Sequence, residues 1–224
     1  MHFRVASDQA LLVYLGDEIS LASHRRVVNL LRVLQKENPR WLRNVQPAYC
    51  SLLVAFDPLQ TDHLDVENTL RGYVNLAEFL SARPPRVIEV PVCYEPELAP
   101  DLQYVAARCN LMPRRVAESH ASQFYHAYFL GFAPGFAYLG DVPDAIACPR
   151  LPSPRKQVPA GSVGIAGKQT AVYPFATPGG WQLIGRTPIR IFETDREPMA
   201  LIEAGDEVRF RPISAREFAS MESR

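Results

Sequence analysis

The residues best suited to chemistry lie in the second half of the chain, where cations occur without carboxylates. The 224 residues include 24 lysines and arginines and 24 aspartates and glutamates, yet the stretch from 145 to 192 contains no acidic residue. Guanidinium groups without a competing carboxylate are suited to a carboxylate or phosphate ligand. The pattern predicts a site for a small anion, with cations scattered over a solvated surface as the alternative. The cations of this stretch are Arg150, Arg155, Lys156, Lys168, Arg186 and Arg190.

The same region concentrates glycine and aromatic residues. Residues 119–185 hold nine of the 12 glycines and ten of the 22 phenylalanines, tyrosines and tryptophans. Glycine permits positive φ angles and close approach of the backbone, and rings on a rigid backbone lose little entropy when they meet a ligand. The pattern predicts a ring-lined pocket or a partner-binding surface, with core packing as the alternative. The residues chosen on this basis are Phe132, Pro134, Gly135, Phe136, Tyr138, Gly179, Gly180 and Trp181.

Two shorter motifs resemble catalytic loops but lack the required context. The run from Gly161 to Gln169 resembles a phosphate-binding loop, but five residues separate Gly161 from Gly167, and a strand rather than a helix is predicted to follow. The same predicted strand argues against Ser162 as the nucleophile of a strand–turn–helix elbow. We therefore expect neither a P-loop nor a serine nucleophile here.

Histidine and cysteine give weaker signals. His120 and His126 are six residues apart and lack the i, i+4 spacing of a metal-binding pair, so no metal site is predicted. His120 is a candidate proton carrier or hydrogen-bond partner in the pocket, with a buried structural histidine as the alternative. The four cysteines form no C-x-x-C pair and are expected to be buried, reduced thiols, although any of them could act as a nucleophile.

The elements that must position these residues divide into two groups. Apolar spacing and the ββαββα order over residues 1–82 predict a small α+β sandwich with both helices on one side of a sheet. Consecutive prolines predict a linker over 83–86. From 87 to 224 we predict a strand at 87–93, helices at 100–109 and 113–120, and then short strands between Gly and Pro that form a β-barrel or sandwich. The strands and helices predicted for residues 1–82 are 3–6, 10–15, 20–37, a strand near 45, 51–56 and a helix that begins at 61 or 62.

Composition excludes several function classes. A 47% hydrophobic content favours a globular chain, and a formal net charge of zero argues against nucleic acid and anionic membranes as partners. The apolar run at 10–16 is too short for a membrane helix and lacks the layout of a signal peptide. We therefore expect a cytoplasmic protein.

Five sequence blocks resemble the PxpB/KipI family, which is also called allophanate hydrolase subunit 1. They are GFAPGFAYLG at 131–140, the PR pairs at 149–150 and 154–155, VPAGSVGIAGKQTAVYP from 158, TPGGWQLIGRTP from 177 and AGDEVRFRPI from 204. The resemblance is dense over about 115–213 and weaker over the N-terminal half. It implies an α+β fold, with a small N-terminal ββαββα sandwich followed by a cyclophilin-like β-barrel domain.

The resemblance also implies an activity and partners. It implies the PxpB-type subunit of an ATP-dependent 5-oxoprolinase, which opens 5-oxoproline to glutamate together with PxpA-type and PxpC/KipA-type subunits. ATP, with or without Mg²⁺, would be bound by the complex rather than by this chain alone, which is expected to be inactive by itself. The alternatives are a KipI-like inhibitor of a sensor histidine kinase and a subunit of a urea carboxylase or allophanate hydrolase.

Residue roles follow as hypotheses. His120 is the candidate catalytic residue. The rings at 132, 136, 138 and 181 would form the apolar wall or the surface that faces the partner. The residues predicted to bind or orient the anionic substrate are Arg150, Arg155, Gln169, Thr170, Tyr173, Arg186 and Thr187.

Overall fold

The computed structural model describes residues 1–78 and 84–222. The chain splits into two compact units, Met1–Pro84 and Pro85–Arg224. The predicted end of the first domain at 82 and the predicted start of the linker at 83 lie outside the described residues. The predicted domain limits therefore stay a prediction.

The first unit is a four-stranded antiparallel sheet with two helices. The strand order is β1-β2-β4-β3. Ser20 caps the first helix by accepting a hydrogen bond from the Ser23 N–H, and Asn38 ends it in the left-handed conformation, with φ of 40°. The elements are β1 (His2–Ser7), β2 (Ala10–Tyr14), α1 (Leu21–Glu37), β3 (Leu42–Pro47), β4 (Ser51–Phe56) and α2 (His63–Glu78).

One core joins these helices to the sheet. The buried side of α1 carries Val27, Leu30 and Leu34, at the spacing of a helical stripe. These residues share a cluster with Val13 of β2 and Leu70 of α2. The predicted ββαββα order is present in this unit.

The second unit is built on a closed seven-stranded barrel. The strand order around it is β10-β7-β6-β13-β5-β12-β9. β13, the last strand of the barrel along the chain, lies between β6 and β5. It runs parallel to β5, whereas the other neighbouring pairs of the barrel are antiparallel. The barrel strands are β5 (Val87–Cys93), β6 (Phe124–Leu130), β7 (Ala137–Gly140), β9 (Ser162–Ala166), β10 (Gln169–Val172), β12 (Gln182–Arg186) and β13 (Glu207–Ile213).

The remaining elements of the second unit lie outside the barrel ladder. β8 (Arg155–Val158) and β11 (Thr177–Gly179) form a separate two-stranded antiparallel sheet. The helices are α3 (Leu102–Arg108), α4 (Pro113–Ala121) and α5 (Ala215–Glu222), with a 3₁₀ turn at Asp144–Ile146. The sequence patterns did not predict α5 or the separate sheet.

The α+β class with a C-terminal β-barrel is confirmed. The run that resembles a phosphate loop forms β9 and its turn into β10, with Gly167 at φ of +59°, and no helix follows it. All four cysteines are free thiols. Cys93 and Cys148 are buried as expected, whereas Cys50 and Cys109 are only half-buried. None of the described helices combines the length and the apolar character that a membrane crossing requires.

Candidate functional site

A ring-lined pocket of about 370 Å³ opens beside the small β8–β11 sheet. It belongs entirely to the second unit. Six of the eight residues predicted as wall or partner surface line it, namely Phe132, Phe136, Tyr138, Gly179, Gly180 and Trp181. The other two, Pro134 and Gly135, lie in the turn between β6 and β7 that carries Phe132. The lining also includes Arg150 and Tyr173.

The wall is an edge-to-face cluster of rings. Phe136 is 1% exposed, and its ring centroid lies 5.2 Å from that of Tyr173 and 5.6 Å from that of Trp181. Such pairs add to the stabilisation from burial alone. Phe132, by contrast, is 61% exposed and adopts a φ of 70°, which is unusual for a residue with a side chain. The rings of the wall are therefore closely packed, while the exposed Phe132 ring lies at the mouth of the pocket.

Glycine at 179 is required by the close approach of a tyrosine. A Cβ at this position would lie 2.5 Å from the Tyr173 hydroxyl oxygen, whereas the nearest atom to a Cβ at Gly180 would be 3.6 Å away. Burial raises the pKa of the Tyr173 hydroxyl. Tyr173 therefore presents a neutral hydroxyl beside the β11 backbone.

Arg150 supplies the positive charge of the pocket. Its guanidinium lies 5.9 Å from the centroid of the Trp181 ring. Within residues 1–78 and 84–222, no carboxylate forms a salt bridge with Arg150. An aromatic wall and a cation without a carboxylate partner can hold a small anion with an apolar body.

Of the three arginines predicted to bind the anionic substrate, only Arg150 is among the residues that line this pocket. Arg155 lies next to the lining residue Pro154, but its Nη2 is 2.6 Å from Oδ1 of Asp101, so a carboxylate from outside the acid-free stretch neutralises it. Arg186 donates to the Ala160 carbonyl at 2.9 Å and lies over the Phe218 ring. Its guanidinium therefore lies beside α5, and Arg186 is not among the residues that line the pocket.

Three of the predicted polar residues are not among the pocket-lining residues. Gln169 is half-buried at the start of β10 and pairs with Gly140 and Ala166 in the ladder. Thr187 is 3% exposed, and its N–H donates to the Gly161 carbonyl at 2.9 Å. Thr170 is fully buried inside the barrel.

His120 belongs to a buried hydrogen-bond chain rather than to the pocket. The Thr170 hydroxyl donates to the Gly164 carbonyl at 3.0 Å and therefore accepts from Nε2 of His120 at 2.9 Å. Nδ1 of His120 then accepts from the Tyr94 hydroxyl at 2.8 Å. This assignment fixes one neutral tautomer.

The surroundings keep His120 neutral. Its side chain is 0% exposed and stacks on Phe210 with a centroid separation of 4.4 Å. Burial lowers its pKa from 6.5 to about 3. This placement matches the alternative of a satisfied structural histidine, and His120 is not among the residues that line the pocket.

Sequence reasoning missed two residues that organise the pocket. An aspartate at the start of a helix commonly acts as a local cap, so the sequence gives no signal that Asp101 contacts Arg155. Gln182 is 1% exposed, and its Nε2 donates to the Pro149 carbonyl at 3.0 Å, immediately before Arg150. Only the separation along the chain, 54 residues for Asp101 and Arg155, hid these contacts.

Comparisons with known proteins agree with this architecture. Residues 1–202 match the family described as the carboxyltransferase domain, subdomain C and D. The chain is 39% identical to the B-type subunit of 5-oxoprolinase from Bacillus subtilis (strain 168), over 94% of this chain and 92% of that protein. It is 41% identical to the B-type subunit of 5-oxoprolinase from Escherichia coli O157:H7, over 92% of this chain and 93% of that protein.

A solved structure shows the same fold. The crystal structure of TTHA0988 superposes with a TM-score of 0.83 at 34% identity and covers 93% of this chain. This chain spans only 41% of the TTHA0988 chain, so TTHA0988 continues well beyond the part that aligns.

Proposed function

This chain belongs to the carboxyltransferase-domain family, subdomain C and D, and from that premise we propose that it is the PxpB-type subunit of an ATP-dependent 5-oxoprolinase. In the proposed reaction, the complex opens the ring of 5-oxoproline by adding water across the lactam C–N bond, which yields glutamate. The observation that carries the proposal is near-complete alignment, at 39% and 41% identity, with the B-type subunits of two bacterial 5-oxoprolinases.

The pocket supports a small anionic substrate. 5-Oxoproline combines one carboxylate with a compact five-membered ring. The carboxylate would pair with the Arg150 guanidinium, and the ring would lie against Phe136 and Trp181. The Tyr173 hydroxyl, kept neutral by burial, could donate a hydrogen bond to the lactam carbonyl.

The same pocket does not suit a nucleoside triphosphate. A triphosphate carries several negative charges, whereas the pocket offers the single guanidinium of Arg150. Among the residues that the structure describes, no three histidine, cysteine or acidic side chains lie together in a group that could hold a metal ion. This pocket is therefore not proposed to bind ATP, which would be bound by the complex rather than by this chain alone.

The proposal includes PxpA-type and PxpC/KipA-type partners. The relatives are single subunits of a larger enzyme, and the longer TTHA0988 chain is consistent with a companion domain in one polypeptide. Phe132, with 61% of its surface exposed at the mouth of the pocket, offers a partner-facing ring. The site would then be completed at the interface between subunits.

The test is reconstitution of the complex. The chain is co-expressed with its cognate partner subunits, assembly is checked by size-exclusion chromatography, and ATP-dependent glutamate formation from 5-oxoproline is measured. We expect turnover that requires all subunits and ATP. An assembled complex without turnover would contradict the proposal, and inhibition of a histidine kinase by this chain alone would favour the KipI-like alternative.

Arg150→Ala tests the pocket separately. Loss of a charge-assisted contact should raise the KM for 5-oxoproline about tenfold to a hundredfold. Arg190→Ala is the matched control, because Arg190 comes from the same acid-free stretch, is 82% exposed and lies 3.8 Å from Glu193. Wild-type KM in Arg150→Ala would remove Arg150 from the site and leave the proposed place of this chain in the complex intact.

A further inference from the structure

Asp101 occupies a capping position but does not cap its helix. It is the N-cap residue of α3, yet its side chain makes no capping hydrogen bond. An aspartate here would normally accept from the N–H groups of the first turn. The residue is nevertheless only 8% exposed, so its carboxylate has been withdrawn from water for contacts farther along the chain.

The carboxylate joins β8 to β12. Oδ1 lies 2.6 Å from Nη2 of Arg155 at the start of β8, and Oδ2 accepts from the Leu183 N–H in β12 at 2.6 Å. The Asp101 N–H in turn donates to the Leu183 carbonyl at 2.9 Å. Both backbone polar groups of Leu183 are therefore held by one residue.

Arg155 completes the connection to the pocket wall. Its Nη1 donates to the Trp181 carbonyl at 3.2 Å. The Leu151 N–H donates to the Gly180 carbonyl at 2.7 Å, and this second bond ties the segment of Arg150 to the same wall. The Asp101 carboxylate thus supports two neighbouring, hydrogen-bonded segments, 150–155 and 179–183, which both contribute residues to the pocket lining.

We propose that Asp101 is a positioning residue for the pocket: through Arg155 and Leu183 it sets the distance between Arg150 and the Trp181 ring. Asp101 touches no substrate in this assignment. The inference rests on the proposed function, because a substrate held by Arg150 against the Trp181 ring requires a fixed distance between these two residues.

The pairing also explains why an arginine from the acid-free stretch is unavailable to the substrate. A partly buried guanidinium that meets a carboxylate and a carbonyl is held in one orientation. If the carboxylate is removed, the partly buried Arg155 charge loses its partner and the Leu183 N–H loses its acceptor. The Trp181 segment keeps the hydrogen bond from Leu151 to Gly180 but loses the contacts made through Asp101, so its position relative to Arg150 is less constrained.

The experiment uses Asp101→Asn in the reconstituted complex, with Asp206→Asn as the matched control. Asp206 is 5% exposed and holds Arg86 through contacts of 3.0 and 2.6 Å, and it also accepts from the Glu203 N–H. Neither Asp206 nor Arg86 lines the pocket. Both variants should therefore lose similar stability, but only Asp101→Asn should change the pocket.

We expect the KM for 5-oxoproline to rise about tenfold in Asp101→Asn, the factor for one charge-assisted hydrogen bond, with kcat little changed. Asp206→Asn should keep the wild-type KM. Wild-type KM in Asp101→Asn, or an equal rise in both variants, overturns the proposal. If Asp101→Asn fails to fold, Arg155→Lys makes the same test, because it keeps the charge and loses the two-pronged contact.

A second readout separates this inference from the proposed function. In a Trp41→Phe background, Trp181 is the remaining tryptophan of the chain, which has two. Because Trp181 is 5% exposed, acrylamide should quench its fluorescence poorly in the wild type and in Asp206→Asn. In Asp101→Asn the quenching constant should be several-fold higher. If the wild-type complex shows no turnover, the proposed function fails, and unchanged quenching in Asp101→Asn then overturns the positioning role as well.

Discussion

The buried chain from Tyr94 through His120 to Thr170 can be tested by replacing one hydroxyl. Thr170→Val keeps the shape of the side chain and removes its donor and acceptor. The His120 Nε2–H would lose its partner at 2.9 Å, and the Gly164 carbonyl would lose the donor at 3.0 Å. A buried polar group left without a partner costs about 1–3 kcal/mol. Two such groups predict a loss of about 2–4 kcal/mol, since a carbonyl in a strand ladder keeps part of its hydrogen bonding.

Thr177→Val is the matched control. The Thr177 hydroxyl is buried without a hydrogen-bond partner, so valine there should leave the free energy of unfolding unchanged or raise it by up to about 1 kcal/mol. Both substitutions exchange the same two residue types in strands of the same unit. Any difference between them therefore reports the hydrogen bonds rather than the change of side chain.

The assay is thermal and urea unfolding in the Trp41→Phe background. Trp41 lies in the first unit and Trp181 in the second, so the remaining emission follows the barrel unit. Thr170→Val should lower the Tm by about 4–16 °C, from a loss of about 2–4 kcal/mol and about 2–4 °C per kcal/mol for a domain of this size. Equal transitions for Thr170→Val and Thr177→Val would refute the reasoning, because the chain would then contribute nothing to stability.

Two further predictions concern the pocket backbone and pH. Gly179→Ala should weaken 5-oxoproline binding, because the new Cβ would lie 2.5 Å from the Tyr173 hydroxyl oxygen. Gly180→Ala is the control and should bind normally, because the nearest atom to its Cβ would be 3.6 Å away. Equal affinities of the two variants, measured by calorimetry on the complex, would contradict this prediction. Burial lowers the pKa of His120 from 6.5 to about 3, so between these pH values only the unfolded chain binds the proton. The contribution of His120 to the free energy of unfolding should be complete above pH 6.5. It should fall by about 1.4 kcal/mol per pH unit as the pH drops toward 3. NMR of the His120 ring should show no titration between pH 7 and 5, and a midpoint near 6 would disprove the assignment.

Local patterns in the sequence were sufficient for the elements of the first unit. The stripe of Val27, Leu30 and Leu34 predicts α1, and Asn38 marks its end, because both signals act over one or two turns. The barrel class was also predictable from short apolar runs between glycine and proline. The parallel pairing of β13 with β5 was not, since it joins residues about 120 positions apart.

The ring-lined pocket itself was largely predictable from residue types. Glycine beside a ring, as at Gly179 and Trp181, indicates a place where the backbone must pass close to a side chain. The charge pattern was harder to interpret, because a residue distant in sequence can bring a carboxylate close to a stretch that contains none. Asp101 reaches Arg155 across 54 residues and neutralises it, which no local count could reveal.

The sequence by itself determined the two groups of elements, the aromatic and glycine-rich wall, and the presence of Arg150 among residues without acidic neighbours in the chain. These features depend on side-chain type and short spacing. Only the tertiary structure decided which cation remains available to a ligand, and it placed His120 in the barrel interior. Hydrogen bonds and ion pairs depend on distances of about 3 Å between atoms far apart in sequence, and folding alone sets those distances.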